Sequence, residues 1–171
     1  MGKRILVLNG SPTKGGNTET LSKALIKGAE EAGHTAILLT ISDMQIAPFR
    51  GMAQEKDDMS DVLDEIVRAD VVVWASPLYW MQFTGQLKVV MDRMSFQQED
   101  NFAGKETALL ACAASPEEVI RENLYRYYQL CFIESMKWID KGAVLAGGVF
   151  APGQVADTEY IKQSYELGKS L

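Results

Sequence analysis

Histidine and cysteine are scarce in this chain, and their scarcity limits the kinds of active site it can build. The 171 residues include one histidine and two cysteines, so a metal site made of several histidines is excluded. His34 follows Gly33 in a predicted turn, where a surface role is favoured over ligation. Cys112 and Cys131 lie in apolar patterns that predict buried free thiols, as in proteins of a reducing compartment such as the cytoplasm. We therefore expect no metal and no histidine-based triad.

Basic charge is also in short supply. Lysine and arginine total 17 against 23 aspartates and glutamates, which gives a net charge of −6. Such a chain is not expected to bind nucleic acid or an anionic membrane surface. No apolar run approaches the ~20 residues of a membrane span, and the N-terminus lacks the layout of a signal peptide. The length fits one domain over residues 1–171, and 47% apolar residues suffice for a core.

Strand and helix signals alternate along the chain. Continuous apolar runs are typical of strands buried on both faces, and helical patterns separate them. The predicted strands are Ile5–Leu8, Thr35–Ile41, Val71–Ala75, Thr107–Ala113 and Val144–Val149, and the helices are one reaching Leu21 and Leu25, Ser60–Ala69, Gln86–Met94, one opened by Ser115 and one preceded by Asp157. This order predicts an α/β fold, a doubly wound five-stranded parallel sheet with helices on both faces.

The fourth predicted helix has a clear start signal. Ser115 is the expected N-cap, Pro116 occupies the first helical position, and Glu118 the third. Its predicted inner stripe has a spacing of three to four residues: Ile120, Leu124, Tyr127, Tyr128, Cys131, Ser135, Trp138 and Ile139.

The first strand ends in a loop suited to an anion. A Gly- and hydroxyl-rich turn at a helix start offers free backbone N–H groups and the positive end of the helix dipole. A nucleoside-triphosphate loop is not expected, because Gly16-Asn17 stands where that loop needs Lys-Ser/Thr. A dinucleotide-binding fingerprint is not present either, because Ser11-Pro12 interrupts it. The remaining donors are neutral and suit one terminal phosphate: Ser11, Thr13, Asn17 and Thr18. The alternative is a turn and helix cap without a ligand. Asn17 is the predicted cap of the first helix.

Two further loops follow the third and fourth strands. Ligands of such sheets bind beyond the carboxyl ends of the strands, which nominates Asn9–Thr18, Ser76–Gly85 and Ala113–Pro116. In the second loop, Tyr79 and Trp80 offer a flat wall for a planar ring, although they could simply cover the sheet edge. A planar heterocycle on a monophosphate tail satisfies both loops.

Four motifs, in order and with fitting spacing, resemble one family. They are G-S-P-x-x-G-G-N-T within Ile5–Thr18, Asp57-Asp58-Met59, S-P-L-Y-W at the end of Ala69–Trp80, and G-x-L-K-x-x-x-D-R within Gly85–Met94. Together they are similar to the NADPH-dependent FMN reductase family, near its iron–sulfur flavoprotein branch. Members with a cluster carry cysteines just before the Asp-Asp-Met. Residues 46–56 contain none, so this chain is not expected to bind that cluster in that way.

The resemblance implies a flavodoxin-like sheet of order 2-1-3-4-5, one FMN per chain and a homodimer. The phosphate would be held by Ser11, Thr13, Asn17 and Thr18 with Gly15 and Gly16, and the isoalloxazine flanked by Pro77, Leu78, Tyr79, Trp80, Met81, Ala114 and Ser115. NADPH or NADH would reduce FMN, which would then reduce a small acceptor: a quinone, a nitro or azo compound, a flavin or a metal ion. The cofactor performs this chemistry, so no catalytic side chain is expected.

Two other functions fit the sequence less well. A flavodoxin-like electron carrier with protein partners is disfavoured by the Gly-Gly-Asn of the first loop. A response-regulator-like domain needs paired acids where Asn9-Gly10 stands. The homodimer has a second argument, because six large side chains fall in loops near the binding edge and would be exposed in a monomer: Phe49, Met52, Met81, Phe83, Phe96 and Phe102.

Overall fold

Five parallel strands form one sheet in the order β2-β1-β3-β4-β5. The structure is a computed structural model that describes residues 2–51, 56–94 and 102–171. The strands are β1 (Arg4–Asn9), β2 (Thr35–Thr40), β3 (Val71–Pro77), β4 (Glu106–Cys112) and β5 (Ile139–Ala146). Both the predicted fold class and the predicted strand order are confirmed.

Helices cover both faces of this sheet. In the described residues they are α1 (Asn17–Glu31), α2 (Met59–Arg68), α3 (Gly85–Met94), α4 (117–135) and α5 (Glu159–Ser170), with 3₁₀ turns at Ile41–Asp43 and Gln154–Asp157. No helix in the described ranges is long and apolar enough to cross a membrane.

The sheet separates two apolar cores, because alternate residues of a strand point to opposite faces. Leu6 and Leu8 of β1 pack with α2, α3 and α4. Ile5 and Val7 pack with α1 and α5. All four side chains are fully buried, which explains the continuous apolar run in the sequence.

Helices α1 and α5 pack at glycine. A Cβ atom on Gly28 would lie 2.0 Å from the Tyr165 carbonyl oxygen, and one on Gly168 would lie 2.0 Å from the Leu25 carbonyl oxygen. No side chain fits at either position, so the two backbones touch directly. The Ser164 hydroxyl donates a hydrogen bond to the Leu21 carbonyl at 2.8 Å across the same contact.

Helix α4 alternates between α and π geometry, with π segments at Arg121–Tyr125 and Gln129–Ser135. Its buried residues fall at every fourth position: Ile120, Leu124, Tyr128 and Phe132. The π segments add residues to each turn, so the repeat lengthens beyond that of an α-helix.

This longer repeat corrects the predicted inner stripe. Ser135 is exposed, Tyr127 and Cys131 are half-buried, and Ile139 lies in β5 with 55% of its surface exposed. Trp138 is buried as predicted but lies beyond the helix, where its indole N–H donates to the Phe102 carbonyl at 2.7 Å. Helix α4 itself begins at Glu117, with Pro116 in the cap position and no side-chain cap, so the predicted Ser115 cap is wrong.

The fifth strand differs from its predicted position. It starts five residues earlier than predicted and ends three residues earlier. It runs from Ile139 to Ala146 rather than from Val144 to Val149. The first half of β5 contains Asp140 and Lys141, which an edge strand such as β5 can expose to solvent. Because of these charges, the segment lacks the continuous apolar run by which buried strands are identified.

Two of the side chains expected to be exposed are core residues. Phe83 and Phe102 are 4% and 3% exposed and belong to the core beneath α2, α3 and α4. Phe49 and Met81 retain 37% and 48% exposure. Met52 and Phe96 lie outside the described residues.

Candidate functional site

A cavity of about 340 Å³ opens at the carboxyl ends of the strands. Its lining comes from the loops after β1, β3, β4 and β5, which is where parallel sheets of this kind bind ligands. The volume lies at the lower end of the range for small-molecule sites, about 300–1,000 Å³.

Most of the predicted site residues line this cavity, and others do not. Those in the lining are Ser11, Thr13, Gly16, Asn17, Thr18, Pro77, Leu78, Tyr79 and Ala114. Gly15, Trp80, Met81 and Ser115 lie outside it.

The structure adds lining residues that the sequence interpretation missed. In addition to Ala113, which lies in a nominated loop, the lining contains Cys112, Val149, Phe150 and Pro152. The last three belong to the loop after β5. The sequence nominates only the loops after the first, third and fourth strands, so the loop after β5 is a finding of the structure.

The loop after β1 is folded by its own hydrogen bonds. The Ser11 N–H donates to Asn9 Oδ1 at 3.1 Å, and the Thr13 N–H donates to Ser11 Oγ at 3.2 Å. The Gly16 N–H donates to the Thr13 carbonyl at 3.1 Å. Helix α1 then begins, and the first N–H groups of a helix have no intrahelical partner. Such N–H groups, together with the positive end of the helix dipole, are suited to bind an anion.

Asn17 does not cap α1, contrary to the sequence prediction. Gly16 occupies the cap position, with no side-chain cap bond. The Asn17 carboxamide instead donates from Nδ2 to the Ala151 carbonyl and accepts at Oδ1 from the Val155 N–H, both at 3.0 Å. Asn17 thus ties the start of α1 to the loop after β5.

Glu19 closes the outer side of the first loop. Its carboxylate accepts the Gly15 N–H at 2.7 Å and pairs with Lys23 at 2.5 Å. The hydrogen bond from Lys23, and then that from Gly15, lowers the pKa of the Glu19 carboxyl. Gly15 has a left-handed φ of 66°, which only glycine adopts freely. Its N–H is committed to Glu19.

Tyr79 and Gln82 close a two-residue turn after β3. Each donates its N–H to the carbonyl of the other at 3.0 Å. The residues between them, Trp80 and Met81, have φ values of 48° and 64°. Residues other than glycine rarely adopt this left-handed conformation. Trp80 is 98% exposed, so it does not cover the sheet edge, while half-exposed Tyr79 lines the cavity.

Cys112 lies in the cavity wall at the end of β4. Its sulfur is 3.1 Å from Thr18 Oγ1, and burial raises the pKa of the thiol. Cys112 and Cys131 are both free, and Cys112 is buried as predicted while Cys131 is half-buried. His34 accepts the Lys3 N–H at 3.0 Å in its turn, and no group of three or more metal-ligating side chains occurs among the described residues.

The Asp-Asp-Met motif organises the segment before α2 and does not reach the cavity. Asp57 accepts the Ala47 N–H at 2.9 Å and the Met59 N–H at 3.0 Å, and it pairs with Arg93. Asp58 accepts the Gln45 N–H at 2.7 Å. Burial acts to raise the pKa of the Asp57 carboxyl, but the bonds from Arg93, Ala47 and Met59 outweigh it and lower the pKa.

Comparison with known families agrees with this geometry. The sequence profile of the NADPH-dependent FMN reductase family matches residues 3–148. The chain belongs to this family. An iron–sulfur flavoprotein from Methanosarcina thermophila is 26% identical to this chain over 178 residues. The alignment covers 98% of this chain and 93% of that protein.

Solved structures show the same fold. An NAD(P)H:quinone oxidoreductase from Methanothermobacter marburgensis has a TM-score of 0.78 at 18% identity, covering 99% of this chain and 96% of the other. An FMN-dependent NADH-azoreductase from Bacillus anthracis str. Ames Ancestor, in complex with FMN, has a TM-score of 0.71 at 16% identity, covering 97% and 96%.

The cavity of this FMN reductase family member suits FMN. Hydroxyl donors and helix-start N–H groups lie at one part of the lining, and apolar Pro77, Leu78 and Tyr79 at another. The family therefore confirms the expected FMN cofactor and nicotinamide co-substrate. The name of the Methanosarcina relative refers to an iron–sulfur cluster. This chain lacks a set of cysteines to hold one before the Asp-Asp-Met motif, since it has two cysteines and residues 46–56 contain none.

Proposed function

We propose that this protein is an FMN-dependent oxidoreductase that passes hydride from NADPH or NADH to FMN and on to a small acceptor. The acceptor classes that fit are quinones, nitro or azo compounds, free flavins and metal ions. The observation that carries the proposal is that an anion loop and an apolar, aromatic-walled loop open into one cavity. A ligand with one phosphate and one flat ring uses both.

The side chains divide the binding task. Ser11 and Thr18 are 5% and 1% exposed, so their hydroxyls lie where a phosphate would be shielded from water. The first N–H groups of α1 would complete its hydrogen bonds. Ala114 and Ser115 follow β4, next to the strand that carries Tyr79, and would border the ring. Gly15 and Gly16 shape the turn.

FMN, when bound, supplies the hydride-accepting ring, and the protein binds and orients it. Among the residues that the structure describes, the lining contains no carboxylate, histidine or amine, which fits a reaction that needs no general acid or base. The buried Cys112 thiol remains neutral because burial raises its pKa.

A homodimer forms part of the proposal. Trp80 and Phe150 are 98% and 84% exposed, and Tyr79 and Met81 are each 48% exposed, all near the cavity mouth. Large apolar side chains clustered on one surface are typical of an interface, and a two-fold pair would bring a second chain to the mouth. Light scattering at micromolar concentration should give twice 18.9 kDa, and a monomer with full activity would contradict this part.

The free thiols favour a cytoplasmic, reducing location. The net charge of −6 also supports a protein that works on small molecules without binding nucleic acid or membranes.

The central experiment is the visible absorbance spectrum of the purified protein, followed by anaerobic titration with NADPH and NADH. Flavin absorbance should bleach with stoichiometric nicotinamide and return when a quinone is added. Flavin released by denaturation should chromatograph as FMN. Stoichiometric FAD, or no flavin after reconstitution with FMN, would overturn the proposal. Bound FMN that neither nicotinamide reduces would indicate an electron carrier instead.

A further inference from the structure

We propose that Asn17 and Gln154 are positioning residues that hold Phe150 as a wall of the cavity for the planar ring of the bound ligand. The proposal rests on the flavin-binding function above. It assigns Asn17 to the loop after β5 rather than to the phosphate.

The contacts of this loop carry the proposal. The Asn17 carboxamide bonds the Ala151 carbonyl and the Val155 N–H at 3.0 Å each. Gln154 Oε1 accepts the N–H of Phe150 at 2.8 Å and that of Ala151 at 3.1 Å. Two side chains therefore hold four backbone groups, which belong to Phe150, Ala151 and Val155. Asn17 is 8% exposed, so its bonds are shielded from competing water.

Phe150 has the chemistry of a ring contact. It lines the cavity and yet keeps 84% of its surface exposed. A phenyl group in water gains by stacking on a planar ring, whereas a phosphate gains nothing from it. The β5 loop lies on the far side of β4 from the β3 loop in the strand order. Phe150 and Tyr79 are therefore placed to border the same ligand from two loops.

Riboflavin, which lacks the phosphate, separates the two roles of Asn17. Affinities of FMN and riboflavin would be measured for the wild type, Asn17→Ala, Gln154→Ala and Phe150→Ala. Loss of two hydrogen bonds should weaken both ligands by about tenfold in Asn17→Ala, so the FMN-to-riboflavin affinity ratio stays constant. Gln154→Ala and Phe150→Ala should also weaken both ligands in parallel. Gln163→Ala, an exposed glutamine of α5, should match the wild type.

A structural readout accompanies the affinities. Amide hydrogen exchange at Val155 should accelerate in Asn17→Ala, and exchange at Phe150 and Ala151 should accelerate in Gln154→Ala, both without ligand. Gln154 is exposed, so its variant leaves the fold intact even where the buried Asn17→Ala variant does not.

The outcomes separate the two proposals. A wild type that binds no flavin contradicts the flavin-binding function, while amide exchange still tests the tether. An affinity ratio that falls in Asn17→Ala would make Asn17 a phosphate ligand and overturn the positioning role. Unchanged riboflavin affinity in Phe150→Ala would overturn the wall.

Discussion

The Asp57 carboxylate and the Arg93 guanidinium form an ion pair that joins α3 to the segment before α2. Their side chains keep only 13% and 12% of their surface exposed. The same carboxylate accepts two backbone N–H groups. A motif that marks the family in the sequence is thus a structural clasp, remote from the cavity lining.

Breaking this clasp should destabilise the protein. Asp57→Asn should lower the free energy of unfolding at pH 7 by about 2–3 kcal/mol, less than for a fully buried pair because some solvent contact remains. Denaturant melts measure it. Asp61→Asn, an exposed carboxyl in the first turn of α2, is the control and should change stability by under about 0.5 kcal/mol.

The clasp also predicts a pH dependence. The pKa of Asp57 is lower in the folded protein than the ordinary value of about 3.9. Its contribution is therefore present above the unfolded pKa and is lost as pH falls through the folded pKa. The stability gap between wild type and Asp57→Asn should narrow in acid, and a gap that widens below about pH 4 would contradict this.

The hydroxyls of the first loop should bind phosphate specifically. Ser11→Ala combined with Thr18→Val removes two donors worth about 0.5–1.5 kcal/mol each. FMN affinity should fall by about tenfold or more while riboflavin affinity changes little. Quenching of flavin fluorescence measures both. Equal losses for the two ligands would place the phosphate elsewhere.

Tyr79 should be visible in the flavin spectrum. Changing Tyr79 and Trp80 together to Leu should weaken FMN binding, relieve quenching of flavin fluorescence and shift the visible absorbance bands. Tyr79→Leu alone should account for most of the change, because Tyr79 lines the cavity and Trp80 does not. An identical spectrum and affinity would remove both residues from the site.

The turn after β3 should become more stable with glycine. Met81 has a φ of 64°, so Met81→Gly should relieve backbone strain. The entropy that glycine loses on folding offsets part of this gain, and the free energy of unfolding should rise by about 0.5–1 kcal/mol. Gln82→Gly is the matched control, since Gln82 has no positive φ, and it should lose stability. A loss at Met81 equal to that at Gln82 would show that the turn is unstrained.

Local patterns in the sequence predicted the parts of the site that are themselves local. The loops Asn9–Thr18 and Ser76–Gly85 each follow a strand with a plain apolar run, so the sequence locates both at the carboxyl edge of the sheet. The Asn17 contacts with Ala151 and Val155 join residues 134 and 138 positions apart. A carboxamide at a helix start looks like a cap when its distant partner is unknown.

The errors elsewhere have physical causes of the same kind. The segment Ile139–Lys141 carries two charges, as an edge strand can. A prediction based on continuous apolar runs does not detect such a strand. The stripe of α4 follows a repeat of four because of its π segments, and single-residue propensities carry no signal for that geometry. Phe150 lies after β5, the edge strand, whereas the rule applied to the sequence nominates only the loops after the first, third and fourth strands.

The glycine contact between α1 and α5 fixes the position of α1, the helix that begins at the end of the first loop. Gly28 lies eleven residues along α1 from Asn17, a lever of about 16 Å at 1.5 Å per residue. A methyl group at Gly28 would meet backbone at 2.0 Å, and the helix could yield only by tilting or sliding. The first N–H groups of α1 would then shift, so Gly28, which is not among the cavity-lining residues, would set the alignment of the proposed phosphate site from the opposite end of the helix.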